Sequence, residues 1–304
     1  MATMSTRDRR PVSRSAARVN RDARDRARRR DRRHRRVWFT YVVLAAAALM
    51  SIFPLYWMFV VGSNDSSAVA KFPPVLLPGG NFGRNVAQIF DIVPFGRSLL
   101  NSAIVSLSVA VLQVFFCTLA GYAFAKLRFP GRRSLFVFVV ATMLIPTQLG
   151  IVPMYMIMAR IGWVDTLYPL IVPGAVSAFG VFWMRQVIAA TIPDELLEAA
   201  RIDGCSPLRA YRSVVLPIVR GSAAVFGLYA GMTAWNDFLW PLIILSSPEH
   251  FTVQVAIQQL RTQYTIDYSN TLAGSVLGTL PLLLLFAVAG KQLVAGIMDG
   301  AVKG

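Results

Sequence analysis

The sequence predicts an all-α protein that crosses a membrane six times. Of its 304 residues 55% are hydrophobic and only 15% are charged, whereas an ordinary soluble domain carries about 25% charge. Apart from Asp237, the charges lie outside long apolar windows, each close to or above the roughly 20 residues that a spanning helix needs. These windows are residues 37–64, 98–125, 134–159, 166–184, 221–248 and 268–290. Such a composition excludes a disordered protein and argues against a single globule in water.

Residues 1–36 differ from the rest of the chain. They hold 15 arginines and four aspartates, which supply most of the net charge of +16, and they contain few apolar residues. We therefore predict a disordered, Arg-rich tail over 1–36 and a membrane domain over 37–304. Beside a first span, such a tail attracts anionic lipid headgroups by about 1 kcal/mol per arginine near the surface. The predicted partner of the tail is thus the lipid membrane, and not a nucleic acid.

The distribution of Lys and Arg predicts the orientation of the six spans. Cytoplasmic loops of membrane proteins carry an excess of these residues. With the N-terminus in the cytoplasm, the tail, two connections and the C-terminus on that side hold 26 of the 31 basic residues. Both termini are therefore predicted to be cytoplasmic. The first apolar window exceeds the 7–15 residues of a signal-peptide core, so the first helix is predicted to stay uncleaved.

Two spans contain glycines that are four positions apart, Gly227 with Gly231 and Gly274 with Gly278. Glycines at this spacing form a flat face that another helix can approach closely. The pattern leaves open whether that helix belongs to the same chain or to a partner subunit.

Asn236 and Asp237 lie in the fifth window, between Trp235 and Trp240. An acid within a span is costly, which makes Asp237 a candidate for function. The tryptophans place it near the membrane interface, where it can also hydrogen-bond a broken backbone beside Pro241. A structural role is favoured, and a role in the solute pathway stays open.

The fourth-to-fifth connection, residues 192–217, predicts two short helices separated by a glycine. Acidic residues in the first turn suit the positive end of a helix dipole, and Gly204 fits a left-handed C-cap. Ser206 followed by Pro207 fits the N-cap and first residue of a second helix, which is predicted to end near Val215.

The first of these helices has an apolar face that includes Leu196 and Ala200. Such a face either inserts into a groove on another protein or lies on the membrane surface.

The same connection carries a motif. It consists of Glu-Ala-Ala, three residues, Gly, nine residues, Val, one residue and Leu-Pro, at Glu198, Ala199, Ala200, Gly204, Val214, Leu216 and Pro217. This spacing resembles the EAA loop of ABC-importer permeases, with valine in place of isoleucine as the difference. Motifs at 94–97, 101–102, 235–241 and 300–304 are similar to those of the smaller permease of maltose-type and glycerol-phosphate-type importers.

The resemblance implies the fold of an ABC type I importer permease, whose coupling helix docks in a cleft of a cytoplasmic ATPase dimer. It implies that Glu198 makes polar contacts with the ATPase, that Ala199 and Ala200 allow close seating, and that Gly204 permits the turn. The remaining implied contacts are Asp203, Leu216 and Pro217 in the loop and Gly300, Ala301, Val302, Lys303 and Gly304 at the C-terminus.

The other partners implied by the resemblance are a second, homologous permease in a heterodimer and an extracytoplasmic substrate-binding protein, which touches the outer segment 246–272. The larger of the two permeases makes most contacts with the sugar in that family. The implied location is the bacterial cell membrane.

Neither catalysis nor metal binding is predicted. The chain has no Gly-x4-Gly-Lys-Ser/Thr phosphate loop, so ATP hydrolysis is expected on a separate subunit. Its two histidines, His34 and His250, form no cluster, and no cofactor is predicted. A secondary transporter would need more intramembrane acids or bases, or an inverted repeat. The predicted function is therefore that of a permease in an ATP-driven sugar importer, with glycerol phosphate or another solute as the alternative.

Overall fold

A computed structural model of the protein describes residues 14–261 and 267–301. The chain divides into two compact units, Met1–Trp57 and Met58–Gly304. The described part contains thirteen α-helices. They are α1 (Arg14–Gly62), α2 (Phe82–Ile92), α3 (Phe95–Lys126), α4 (Arg132–Thr142), α5 (Ile151–Arg160), α6 (Tyr168–Ile171), α7 (Ala178–Thr191), α8 (Asp194–Ile202), α9 (Pro207–Ala210), α10 (Leu216–Trp235), α11 (Leu239–Ile244), α12 (Val253–Gln259) and α13 (Tyr268–Ala301). The prediction of an all-α fold is confirmed.

The first unit consists of α1 up to Trp57 in the part that is described. The tail was predicted to be disordered, and the structure differs over residues 14–36, where the backbone is already helical. Arginine and alanine are good helix formers, and extending an existing helix avoids the cost of nucleation. Residues 1–13 lie outside the described residues. The side chains from Val37 to Tyr56 are exposed. A helix that is apolar on all sides and not covered by protein needs lipid around it.

Five segments among the described residues are long and apolar enough to cross a membrane: Val37–Gly62, Phe95–Lys126, Tyr168–Thr191, Pro207–Trp235 and Tyr268–Val288. The sixth predicted span is a bent pair, Arg132–Thr142 and Thr147–Arg160, whose axes differ by 91°. Pro146 lies in the break, has an extended ψ of 124°, and disfavours a helical conformation in the residue before it. The count of six holds if this pair is one span.

The fifth span begins and ends earlier than predicted. The helix expected to end near Val215 instead continues from α9 through a π-helical turn, Tyr211–Val215, into α10. Pro217 has no amide hydrogen and its ring needs space beside the preceding turn. The wider π turn directly before α10 provides that space. At the other end, α10 stops at Trp235, so Asp237 lies in a break before α11 and not within a helix.

Helix α3 is the central element of the second unit and packs against both α7 and α10. A Cβ atom at Gly227 would lie 2.8 Å from Val114, and one at Gly231 would lie 3.4 Å from Ala110, both on α3. The other pair, Gly274 and Gly278, faces side chains of α12 and of the residue after it. Both glycine pairs therefore pack within the chain, which answers the question that the sequence left open.

Candidate functional site

The glycine turn of the EAA loop has the predicted geometry. Gly204 follows the end of α8 with a φ of +75°, in the left-handed region. The amide of Cys205 donates to the carbonyl of Ala200 at 2.9 Å, and the amide of Gly204 donates to that of Arg201 at 3.0 Å. These two bonds form a Schellman motif, which closes the helix. Ser206 caps the next helix by accepting a hydrogen bond from the Arg209 amide at 3.3 Å.

The two faces of α8 differ in exposure. Leu197 and Ala200 are buried in a hydrophobic cluster that includes Tyr211, whereas Glu198 and Ala199 are exposed. The prediction that Ala200 shares an exposed face with Leu196 is therefore wrong. Residues three apart lie on one face of a helix, so Ala200 follows Leu197 inward. Its small side chain allows α8 to pack closely on the spans, and Ala200 is not available for a surface contact.

Two exposed apolar side chains lie beside the turn and were not predicted from the sequence. Ile202 is 88% exposed and Leu208 is 60% exposed, on either side of Gly204. Leu196, on α8, is 44% exposed. Large apolar groups that face outward from a polar loop indicate a contact surface. The signal available in the sequence was two large aliphatic residues flanking a glycine in a loop that is otherwise rich in charge.

An ion pair connects the start of α8 to the end of α3. Lys126 Nζ donates to Asp194 Oδ1 at 2.6 Å, and the lysine side chain is only 8% exposed. The hydrogen bond and the charge of Lys126 lower the pKa of the Asp194 carboxyl. Two connections that were predicted to lie on the same side of the membrane thus meet. Leu216 and Pro217, the last residues of the motif, start α10 directly after the π turn.

At the opposite end, the first turns of α3 hold the segment between α11 and α12. Asn101 Nδ2 donates to the carbonyls of Glu249 and Phe251, at 2.8 and 3.0 Å. Ser102 Oγ accepts from the Val253 amide at 2.8 Å. The motif at 101–102 therefore has a structural role that depends on contacts about 150 residues away.

We expect Asn101→Ala to destabilise the protein by about 2 kcal/mol, because two carbonyls in a buried region lose their donor. The measurement is thermal unfolding of the purified protein in detergent. Asn81→Ala is the control, because the side-chain amide of Asn81 donates to Asp65 in a hydrogen bond that is exposed to solvent and not buried. Equal melting temperatures for the two variants would contradict the prediction.

Asp165 connects the loop before α6 to the end of α11. Its Oδ1 accepts from the amides of Ser246 and Ser247 at 2.8 and 2.9 Å, and its Oδ2 accepts from the Ser247 hydroxyl. His250 Nδ1 lies 3.4 Å from Oδ1. Partial burial raises the pKa of Asp165, but the hydrogen bonds from Ser247 and Ser246, with the nearby imidazole of His250, outweigh it and lower the pKa from 3.8 to about 2.

This shift predicts a pH dependence of stability. Because the pKa of Asp165 is lower in the folded state, the carboxylate stabilises the fold above about pH 4 and loses this effect as the pH falls toward 2. We expect Asp165→Asn to lower the melting temperature by about 2–4 °C at pH 7, which corresponds to about 1 kcal/mol. The difference from the unmodified protein shrinks toward pH 2. Asp91→Asn is the control, because Asp91 is exposed. If the difference in melting temperature between Asp165→Asn and the unmodified protein is the same at pH 2 as at pH 7, this account is contradicted.

A cavity of about 600 Å³ lies between α3, the break that follows α6, and the end of α10. Its polar side chains are Gln113, Tyr229, Thr233, Asn236 and Asp237. The two candidate residues of the fifth window are thus brought together with a glutamine, a tyrosine and a threonine that the sequence did not single out. The sequence contained one signal for this cluster. The spacing of Tyr229, Thr233 and Asn236, four and then three residues apart, places them on one face of a helix.

A second, apolar groove of about 860 Å³ runs over α3, α10 and α13. Its lining includes Leu107, Val111, Leu228 and Leu285. Of the C-terminal candidates, Gly300 and Ala301 are in the last turn of α13. Val302, Lys303 and Gly304 lie outside the described residues.

Residues 117–295 match the family described as binding-protein-dependent transport system inner membrane component. The arabinooligosaccharides transport system permease protein AraQ of Halalkalibacterium halodurans is 31% identical over 273 residues, which cover 88% of this chain and 96% of that protein. The sn-glycerol-3-phosphate transport system permease protein UgpE of Pectobacterium atrosepticum is 32% identical over 269 residues, covering 86% and 95%. The lactose transport system permease protein LacG of Rhizobium radiobacter is 31% identical over 263 residues, with the same coverage.

A solved structure has the same fold. It is a chain from the crystal structure of a bacterial ABC transporter involved in the import of the acidic polysaccharide alginate. The two chains superpose with a TM-score of 0.72 at 22% identity, over 83% of this chain and 94% of the other. The helical membrane fold and the sequence matches over most of the chain indicate the same family. The chain belongs to the binding-protein-dependent transport system inner membrane components, the multi-pass permeases of ABC import systems.

Proposed function

We propose that this chain is the smaller permease subunit of an ATP-driven carbohydrate importer and forms half of its translocation channel. The observation that carries the proposal is the EAA loop, which presents a glycine turn flanked by the exposed side chains of Ile202 and Leu208. Exposed apolar groups mark a contact surface for a protein or a membrane. We assign this surface to a separate ATPase, because the EAA spacing resembles that of ABC-importer permeases and the sequence has no phosphate loop of its own.

In this proposal the loop transmits the movement of the ATPase dimer to the spans. Glu198, Ala199 and Asp203 contact the ATPase together with Ile202 and Leu208. Ala200 packs α8 onto the spans instead. Leu216 and Pro217 carry the movement into α10, and the C-terminal residues 300–304 form a second contact with the ATPase.

The proposed second permease is homologous to this chain and covers the apolar groove over α3, α10 and α13. Side chains such as Leu107 and Val111 are exposed in the single chain, at 68% and 58%, and a second set of spans would bury them. We place the permease domain at 37–304 and the Arg-rich tail at 1–36. The excess of Lys and Arg puts both termini in the cytoplasm.

A substrate-binding protein is proposed to dock on the opposite end, at the outer segment 246–272. The described part of this segment is tied to the spans by Asn101 and by Asp165. These contacts give the docking surface a fixed position relative to α3 and α6, which a binding protein needs in order to deliver its solute.

The names of the relatives include two saccharides and sn-glycerol 3-phosphate. A di- or oligosaccharide is the proposed solute, and glycerol phosphate is the second candidate. The test is reconstitution of the complete complex in proteoliposomes with its own binding protein. Lactose, arabinotriose and sn-glycerol 3-phosphate are supplied in turn.

We expect a saccharide-loaded binding protein to stimulate ATP hydrolysis, with uptake only when ATP is present. Uptake that follows a proton gradient in the absence of ATP would contradict the proposal and favour a secondary transporter. Stimulation by sn-glycerol 3-phosphate alone would select the second candidate.

A further inference from the structure

The cavity between α3 and the end of α10 lies beside an interrupted span. The Tyr168–Thr191 span is broken by the 3₁₀ turn Pro173–Ala175, and the fifth span ends next to this turn, at Trp235. Non-helical backbone at the depth of a membrane is tolerated where it is buried in protein or lines a water-filled cavity. The volume, about 600 Å³, is within the range of small-molecule sites. The break at Pro173–Ala175 therefore suits a path for a hydrated solute.

The polar groups of the cavity are held in place by the protein. Gln113 donates from Nε2 to the Gly174 carbonyl at 2.8 Å and accepts from Ser177 Oγ at 3.0 Å. Asn236 donates from Nδ2 to the Met232 carbonyl at 2.9 Å, which directs its donor to the backbone. Side chains that are positioned before the solute arrives lose less entropy on binding.

The polar atoms of the cavity that these hydrogen bonds do not use are mainly hydrogen-bond acceptors. Thr233 donates its hydroxyl hydrogen to the Tyr229 carbonyl at 2.9 Å, so its oxygen remains as an acceptor. Asn236 keeps its Oδ1 as an acceptor, and the carboxyl group of Asp237 adds further acceptor oxygens. A row of acceptors suits a solute with many hydroxyl donors.

An aromatic surface adjoins these acceptors. Tyr229 is 53% exposed, and its ring packs on Phe179 with centroids 5.3 Å apart. Phe179 in turn packs on Trp183 at 5.7 Å. The supported tyrosine ring has an exposed surface against which the C–H faces of a sugar ring can pack, and tyrosine combines this apolar surface with a polar hydroxyl.

The described lining of the cavity holds no lysine or arginine that could pair with a phosphate group. A phosphorylated solute would therefore give up its hydration without gaining a hydrogen bond from a cation, at a considerable cost in a partly desolvated site. A neutral polyol does not carry this cost.

We propose that this cavity is a solute-binding site of this subunit, and that it accepts a neutral polyhydroxylated solute, a sugar or oligosaccharide, in preference to a phosphorylated one. The inference rests on the proposed transport function. It places solute contacts on the smaller permease, in addition to those that the resemblance assigns to its partner.

The test uses the complete complex in proteoliposomes with its binding protein, and measures solute taken up per ATP hydrolysed for lactose, arabinotriose and sn-glycerol 3-phosphate. We expect Tyr229→Ala and Asn236→Ala to lower saccharide uptake per ATP by about fivefold, and Tyr229→Phe to recover most of the loss because the ring is retained. Tyr155→Ala on α5, outside the cavity lining, is the control. Thr233→Val removes an exposed hydroxyl at nearly constant volume, and should lower the ratio by about threefold without disturbing the packing.

Unchanged uptake per ATP in Asn236→Ala, Tyr229→Ala and Thr233→Val would overturn the site. A wild-type complex that carries sn-glycerol 3-phosphate faster than both saccharides would overturn the solute class. If no loaded binding protein stimulates ATP hydrolysis in the wild-type complex, the proposed transport function fails first. The three failures are therefore distinguishable.

Discussion

Gly204→Asp is expected to abolish solute uptake while leaving the protein in the membrane. Gly204 has a φ of +75° and closes α8, and an aspartate in this conformation costs about 1 kcal/mol, the lower end of the range for residues other than glycine. The new carboxylate would also stand beside the exposed Ile202 on the proposed ATPase surface. A loss of about 1.4 kcal/mol of docking free energy already weakens the binding tenfold, so we expect uptake and stimulated ATP hydrolysis to fall by about that factor or more.

The chain offers a matched control for this variant. Gly131, in the connection before α4, has a φ of +76°, and within the described residues no neighbouring segment comes within 4 Å of a Cβ placed there or at Gly204. Gly131→Asp therefore brings the same backbone strain without touching the EAA loop, and we expect it to retain uptake. Both proteins are measured in the same proteoliposomes at equal protein content.

Glu198→Lys provides a second test of the same surface, because it reverses an exposed charge and leaves the backbone unchanged. We expect uptake to be lost here as well. Full uptake by both Gly204→Asp and Glu198→Lys would contradict the assignment of the loop to ATPase coupling. A loss in Gly131→Asp equal to that in Gly204→Asp would show that strain is responsible instead.

The second large effect is expected at the crossing of α3 and α7. A Cβ at Gly121 would lie 2.7 Å from the Arg185 nitrogen and 2.9 Å from the Met184 carbonyl carbon. These are backbone atoms of α7, which cannot move aside as the tip of a flexible side chain can. We therefore expect Gly121→Val to separate the two helices and to destabilise the protein by about 3 kcal/mol, at the upper end of the cost of overpacking.

Gly221→Val is the control for the helix crossing. Gly221 also lies within a helix, α10, yet in the described part of the chain no other segment comes within 4 Å of a Cβ built on it. Thermal unfolding in detergent and the fraction of monodisperse protein are the measurements. If Gly121→Val unfolds at the same temperature as Gly221→Val, close packing at this crossing does not limit stability.

Several features were predictable from the sequence because each depends on residues close together in the chain. The apolar windows gave the positions of the spans, since burying a charge in lipid is costly wherever it occurs. The left-handed turn at Gly204 and the N-cap at Ser206 follow from local backbone and side-chain preferences. The EAA spacing identified the loop for the same reason. What the sequence determined about this protein is therefore its class, its spans and the location of the loop.

Other features required contacts between distant segments, and only the tertiary structure decided them. The burial of Ala200 depends on packing against other helices, and the glycine pairs needed a partner helix to be located. The cavity joins Gln113 of α3 to Asn236 after α10, and Asn101 reaches a carbonyl 148 residues away. Periodicity in a sequence reports which face of a helix is apolar, but not which element that face meets. The structure therefore decided which side chains line the cavity, because only folding brings them together.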